Sequence, residues 1–180
     1  MALIKQDAVV ADDWVAVDDD ADLPAAEAIL VSLTRWRGQR DTLLQRDGRV
    51  GLRLAADETP DEIAADLERF ALVAVEFPTF KDGRGYSTAR LLRDRHGYRG
   101  ELRAIGNILS DQALFLERCG FDSYEVGDAI EPTVWSQSRR AITGRYQTSS
   151  DQARTIPTLR QTVQRGAAPP EGSCAAYWAY

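Results

Sequence analysis

Apolar runs recur along the chain at residues 28–33, 50–54, 72–77, 102–105 and 123–126, and helical patterns fill the gaps between them. Residues 35–46 carry Trp36, Arg40 and the Leu43-Leu44 pair. Residues 60–70 space Ile63, Leu67 and Phe70 as one helical face. Before them, Thr59-Pro60-Asp61-Glu62 combines an N-cap, a proline at the first helical position and a capping-box glutamate. Helical stretches at 87–96 and 110–119 start near Ser87 and Ser110 and stop at Gly97 and Gly120, where left-handed C-caps are expected. Strand, helix and strand at roughly 25-residue intervals predict βα units, a parallel sheet and right-handed crossovers. Five such units fall short of the roughly 250 residues of a complete eight-stranded barrel. The expected fold is therefore α/β, either a partial TIM-barrel-like sheet with the strands in sequential order or an open flavodoxin-like sheet.

The strand faces favour the first. Side chains alternate along a strand, so Val50, Leu52 and Leu54 oppose Arg53, and Val73, Val75 and Phe77 oppose Glu76. Leu102 and Ala104 likewise oppose Arg103, and Tyr124 and Val126 oppose Glu125. The second face then reads Arg53, Glu76, Arg103, Glu125, alternating in charge from strand to strand. Opposite charges on neighbouring strands attract, so consecutive strands are expected side by side with Glu76 ion-paired to Arg103. Helices cover only the apolar face. The charged face must be open, covered by the N-terminal arm, or packed on a partner.

Residues 1–17 alternate around Val9-Val10 and Trp14-Val15-Ala16-Val17, with Asp12-Asp13 as a turn signal, and predict a small β arm or hairpin. Asp18-Asp19-Asp20-Ala21-Asp22 is an acidic connector, of the kind that is usually just solvated. After residue 126, the segment up to Pro132 reads as another helix start, with Val134, Trp135, Ala141 and Ile142 forming a last amphipathic helix. Residues 1–147 are expected to form one domain. Residues 148–180 turn rich in Ser, Thr, Gln, Ala, Pro and Gly, and a poorly ordered or loosely docked tail is expected. Cys174 opens an aromatic end, Tyr177-Trp178-Ala179-Tyr180, which reads as noise in a tail or as a docking peptide.

Composition narrows the function classes. A length of 180 residues with 44% hydrophobic residues suits one substantial core. No apolar run approaches the roughly 20 residues of a membrane span. The start lacks a basic segment followed by an apolar one, so a cytoplasmic protein is expected. The net charge of −6 argues against sequence-independent nucleic-acid binding. Charge is uneven: residues 1–30 hold one base and eight acids, whereas residues 76–103 hold seven bases and four acids. That polarity fits attraction within or between chains, including a homodimer, and also an anionic ligand at the centre. Two distant cysteines and a single histidine leave almost nothing for zinc, iron–sulfur or haem ligation, so no metal or cofactor is indicated. His96 sits in an Arg/Asp-rich helix end, which it favours electrostatically more readily than it does chemistry. Cys119, at a helix C-terminus, reads as a buried structural thiol.

In parallel α/β sheets ligands bind at the carboxyl ends of strands. The most unusual of these ends here is 76–87. Asp82-Gly83-Arg84-Gly85-Tyr86-Ser87 is built to turn tightly, expose N–H groups and open a helix, a combination that binds anions. Lys81, Arg84, Arg90 and Arg103 add charge suited to sulfate, phosphate or carboxylate. The same residues also read as an ordinary glycine-rich βα turn with solvated charges. The loop lacks the third glycine of a dinucleotide fingerprint, and no GxxxxGK[ST] is present. Glu76 is the candidate acid/base, with Asp82, Asn107 and Asp111 as polar neighbours. Arg90 and Asp94, four apart, also suit a surface pair.

The run Phe77-Pro78-Thr79-Phe80-Lys81-Asp82-Gly83-Arg84-Gly85-Tyr86-Ser87, followed by Ala89-Arg90-Leu91-Leu92-Arg93, resembles the signature of the bacterial DUF934 family. Gly100-Glu101-Leu102-Arg103-Ala104-Ile105-Gly106, Asp111-Gln112 and Arg118-Cys119-Gly120-Phe121-Asp122 continue the resemblance, which spans roughly residues 1–147. The family has no assigned function. Its members are often encoded beside sulfite reductase and are labelled as oxidoreductases of sulfite reduction. The resemblance implies a role in sulfur assimilation by association, without a catalytic residue. The residues themselves offer no cysteine pair, metal cluster or nucleotide fingerprint to carry electrons. An accessory role is therefore expected, with sulfite reductase or another sulfate-assimilation protein as partner. The alternative is an enzyme or sensor acting on sulfite, sulfate or a sulfonucleotide at the third βα loop.

Overall fold

A computed structural model describes residues 1–127, 130–151, 153 and 155–164. Strands β1 (Ala2–Lys5), β2 (Ala8–Val10) and β3 (Val15–Ala16) precede β4 (Ala28–Ser32) and helix α1 (Leu33–Leu44). After β5 (Arg49–Leu54), a 3-10 helix over Pro60–Arg69 leads into β6 (Phe70–Phe77). Helix α2 (Arg84–Arg90), ending in a π turn over Leu91–Arg95, leads to β7 (Glu101–Gly106). A short 3-10 turn and α3 (Ala113–Arg118) precede β8 (Ser123–Val126), then α4 (Pro132–Arg140) and α5 (Ile156–Gln164).

The strands form one mixed sheet in the order β2-β1-β8-β7-β6-β5-β4-β3. From β4 to β8 neighbours are consecutive in sequence and parallel, so the flavodoxin-like order does not form. The hairpin β1–β2 adds antiparallel to β8, and β3 adds parallel to β4. The predicted arm therefore supplies both edges. That connectivity forces the sheet to curl. Seven interstrand steps of about 4.8 Å place the edges of a flat sheet about 34 Å apart. The link from Val10 to Val15 reaches only about 18 Å when fully extended. The result is a half-barrel whose edges are joined by a chord, residues 11–14. The crossovers are unequal: a 3-10 helix stands where the 60–70 pattern predicts an α-helix.

The helix-facing side is apolar as predicted. Ile29, Val31, Leu52, Leu54, Val73, Val75, Phe77, Leu102, Ala104 and Val126 are all essentially inaccessible to solvent. On the other side Ser32, Arg53, Ala74, Arg103, Ser123 and Lys5 lie level across six strands. The expected Glu76–Arg103 pair does not form. Their strands are adjacent, but Arg103 is level with Ala74, and Glu76, two residues further on, is level with Ile105. Glu76 instead pairs with Arg53 at 2.8 Å. Arg103, only 2% exposed, pairs with Asp12 of the chord at 2.8 Å and Glu101 at 3.2 Å. Glu101 also accepts from Lys5 and Ser123. The chord thus covers the charged face over Arg103 and leaves Arg53 exposed, with Trp14 lying against Gly51 and beneath the Arg49 guanidinium.

Caps and ends mostly follow the sequence. Thr59 caps the 3-10 helix through the Asp61 N–H, and Gly97 and Gly120 adopt left-handed φ values of 66° and 100°. Glu62 does not close a capping box; its carboxylate is held by Arg37 across to α1. In α4, Trp135 is fully buried against Tyr124 with ring centroids 4.9 Å apart. Val134 and Ile142, expected on the same apolar face, are exposed. The acidic connector is anchored rather than free: buried Arg35 donates to the carbonyls of Asp18 and Ala21. Ser149 binds Arg90 and the Arg118 carbonyl, and Asp151 meets Arg145, so residues 145–151 lie over α2 and α3. Cys174 and the aromatic end lie outside the described residues.

Candidate functional site

Two arrangements occupy the carboxyl ends of the parallel strands. The first is the signature loop after β6. Phe77, fully buried, packs edge-on to Tyr86 at 5.3 Å and against Phe121 at 5.9 Å. Gly85 lies over the Phe77 ring so closely that a Cβ there would come within 2.6–3.0 Å of three ring atoms. The second loop glycine therefore lets α2 sit down on the core. Gly83 caps α2, and a Cβ there would meet nothing nearer than 3.9 Å.

The loop charges are largely satisfied by one another. The Asp82 carboxylate accepts from the Arg84 side chain at 2.6 Å and from the Arg84 backbone N–H at 3.1 Å. Those hydrogen bonds lower its pKa to about 2. Asp82 thus occupies the helix start and the guanidinium that an incoming anion would use. Arg90 is bound to Asp94 at 2.6 Å and to Ser149, and Arg103 lies under the chord. Asn107 is exposed, and its backbone N–H donates to the Phe77 carbonyl. Lys81 is exposed with its ammonium 5.6 Å from the Phe80 ring. Ser87 is exposed on α2, and Tyr86 is half-buried, its hydroxyl pushed up to about 12 by burial. Of the predicted anion-binding cations, Arg84, Arg90 and Arg103 are thus each paired with a carboxylate, while Lys81 is exposed.

The second arrangement is a cleft of about 360 Å³ at the ends of β4, β5 and β6, bordered by Asp19, Ser32, Arg53, Glu58 and Glu76. Glu76 faces it with both Arg53 donors on one carboxylate oxygen. Asp18, Asp19, Glu58 and Glu76 line the cleft with Arg53 as the one basic residue among them. A larger cleft, about 700 Å³, opens at the opposite, amino-terminal end between the β1–β2 turn, β7, β8 and α4. Gly100, Glu101, Gly120, Phe121 and Asp122 of the family-like runs line it, although the sequence reading gave it no chemistry.

The feature that sequence reasoning missed is an aromatic rim beside the signature loop. Phe80, Leu109 and Phe115 are 46%, 38% and 64% exposed. Gln112 ties the two loops together: its amide N–H donates to the Phe80 carbonyl, and its amide oxygen accepts the Leu109 N–H. Phe115 stacks edge-on to Tyr86 at 6.2 Å. The signal was present in α3, where buried Ala113 and Leu116 define the core stripe and Phe115 falls outside it. Cys119 is buried, and burial pushes its thiol pKa up, which does not favour thiolate chemistry. Among the described residues no group of three or more His, Cys, Asp or Glu side chains is placed to hold a metal, and no helix is long and apolar enough to cross a membrane.

The half-barrel thus combines self-paired loop charges with an exposed apolar rim. The chain belongs to the family described as a bacterial protein of unknown function (DUF934), which it matches over residues 51–156. That stretch runs from β5 to the start of α5 and contains the signature loop and the whole rim. No curated protein matches the chain.

Proposed function

We propose that this protein is an accessory factor of assimilatory sulfite reduction that docks on a sulfite reductase component through its aromatic rim. The sulfur assignment rests on the family's association. The docking mode rests on one observation, the exposure of Phe80, Leu109 and Phe115 on neighbouring segments whose backbones Gln112 ties together. Exposed aromatic groups are enriched at interfaces and act as anchors there. In this reading the five parallel strands and their crossovers are five βα units of an incomplete barrel, with the rim in the place where a complete barrel carries its site.

The competing reading is an enzyme or sensor for a small oxyanion at the third βα loop, with Glu76 as acid/base. The exposed Lys81 favours it, but the anion must displace Asp82 from Arg84. Thermal shift with sulfite, sulfate and a sulfonucleotide separates the two. A rise in Tm abolished by Arg84→Ala supports the oxyanion reading. Low-salt capture of a sulfite reductase component that is lost on Phe115→Asp supports docking.

A further inference from the structure

Strand β2 ends the sheet with its outer edge unpaired among the described residues. Ala8, Val9 and Val10 are all exposed, Val9 to 55% and Val10 to 36%. Exposed edges are ordinarily protected by lysine, proline or a bulge because their free N–H and C=O groups template further pairing. Between its ends this strand has none of these, and only its three-residue length limits pairing. Its two ends differ in charge. Where β2 begins, Arg139 and Arg140 converge on Asp7, and Arg140 remains 71% exposed. Where it leaves, Asp13 is exposed and without a partner among the described residues.

We infer that β2 is a self-association edge, pairing antiparallel with β2 of a second copy across a two-fold axis. An isologous antiparallel pair sets the start of each strand beside the end of the other. The exposed Arg140 at one end of each copy then faces Asp13 at the other end of its partner, twice. Charge complementarity therefore favours this arrangement, while a parallel pairing sets like ends together. Val9 and Val10 project to opposite faces of the joined sheet, and each gains side-chain neighbours on the partner strand. The contact is short, so the association is weak and strengthens at low salt.

Sedimentation equilibrium of the full chain over a range of protein and salt concentrations tests this. The expected result is a monomer–dimer equilibrium that weakens at least tenfold on Val9→Lys and again with added salt. Asp13→Arg and Arg140→Asp each weaken it, and the double variant restores it. Circular dichroism confirms that each variant is folded. A chain that stays monomeric throughout overturns the inference. So does a dimer that Val9→Lys leaves unchanged, or one that loss of residues 165–180 abolishes instead. Rim binding to a sulfite reductase component is read separately, because Val9 lies outside the rim.

Discussion

The signature glycines make a sharp test, because the geometry assigns them different roles. Alanine at Gly85 places a Cβ 2.6, 2.8 and 3.0 Å from ring atoms of Phe77. That ring cannot swing aside: it is fully buried and held by Tyr86 and Phe121. Overpacking of this kind costs about 1–3 kcal/mol, and the rigid neighbour puts the site at the upper end. Alanine recovers about 1 kcal/mol of helix propensity. The net is a destabilisation of about 2 kcal/mol, or a Tm lower by about 4–8 °C for a chain of this size. Gly83→Ala, with a φ of −87° and open space around the new methyl, stays within about 0.5 kcal/mol of the parent. Thermal melts of both variants, checked by urea unfolding, give the answer. A Gly85→Ala protein as stable as the parent refutes the packing argument, as does a Gly83→Ala protein destabilised as much as Gly85→Ala.

Three further outcomes follow from the same geometry. Asp12→Ala removes the nearer carboxylate from a guanidinium that is 2% exposed. Because Glu101 remains and Asp12 is part-exposed, the loss is about 1–2 kcal/mol, measurable by urea unfolding. Gly106 combines a φ of +94° with a Cβ position 2.5 Å from the Phe77 carbonyl oxygen, so Gly106→Ala costs about 2–3 kcal/mol, read as a lower urea midpoint. Asp7 is held below its ordinary 3.8, first by the hydrogen bond from Arg139, against the opposing effect of burial, and then by Arg140. Its stabilisation is therefore present above about pH 4 and is lost as pH falls through the depressed folded value. Asp7→Asn should lower Tm at pH 7 and flatten the acid limb of a Tm–pH profile; an unchanged limb contradicts the assignment.

Much of the fold was legible because it depends on local periodicity. The order of β4 to β8, the apolar helix-facing side and the charged opposite face all follow from alternation along single strands. Stagger between strands does not. Counting residues placed Glu76 opposite Arg103, but pairing sets Arg103 beside Ala74 and leaves Glu76 to Arg53. The chord was half visible. Asp12-Asp13 marked a turn, but only the joining of both sheet edges shows why Asp12 must reach Arg103. The loop was readable as a distinctive place. Its glycines and charges suggested a ligand because the sequence cannot show that Asp82 folds back on Arg84 or that Gly85 lies on Phe77. Phe115 was overlooked because an exposed aromatic residue on a short helix resembles a core residue until the buried stripe is known.

The central claim is that the rim of Phe80, Leu109 and Phe115 docks on a sulfite reductase component. Its most direct test is binding of the purified protein to immobilised sulfite reductase subunits at low salt, with Phe115→Asp as the control. Phe115 is 64% exposed, so the substitution should leave Tm nearly unchanged. An anchor at the centre of an interface is worth about 2 kcal/mol or more, so affinity should fall by at least about tenfold. Wild-type binding that is lost on Phe115→Asp is the predicted result. Equal binding by both proteins, or none by the wild type, contradicts the account.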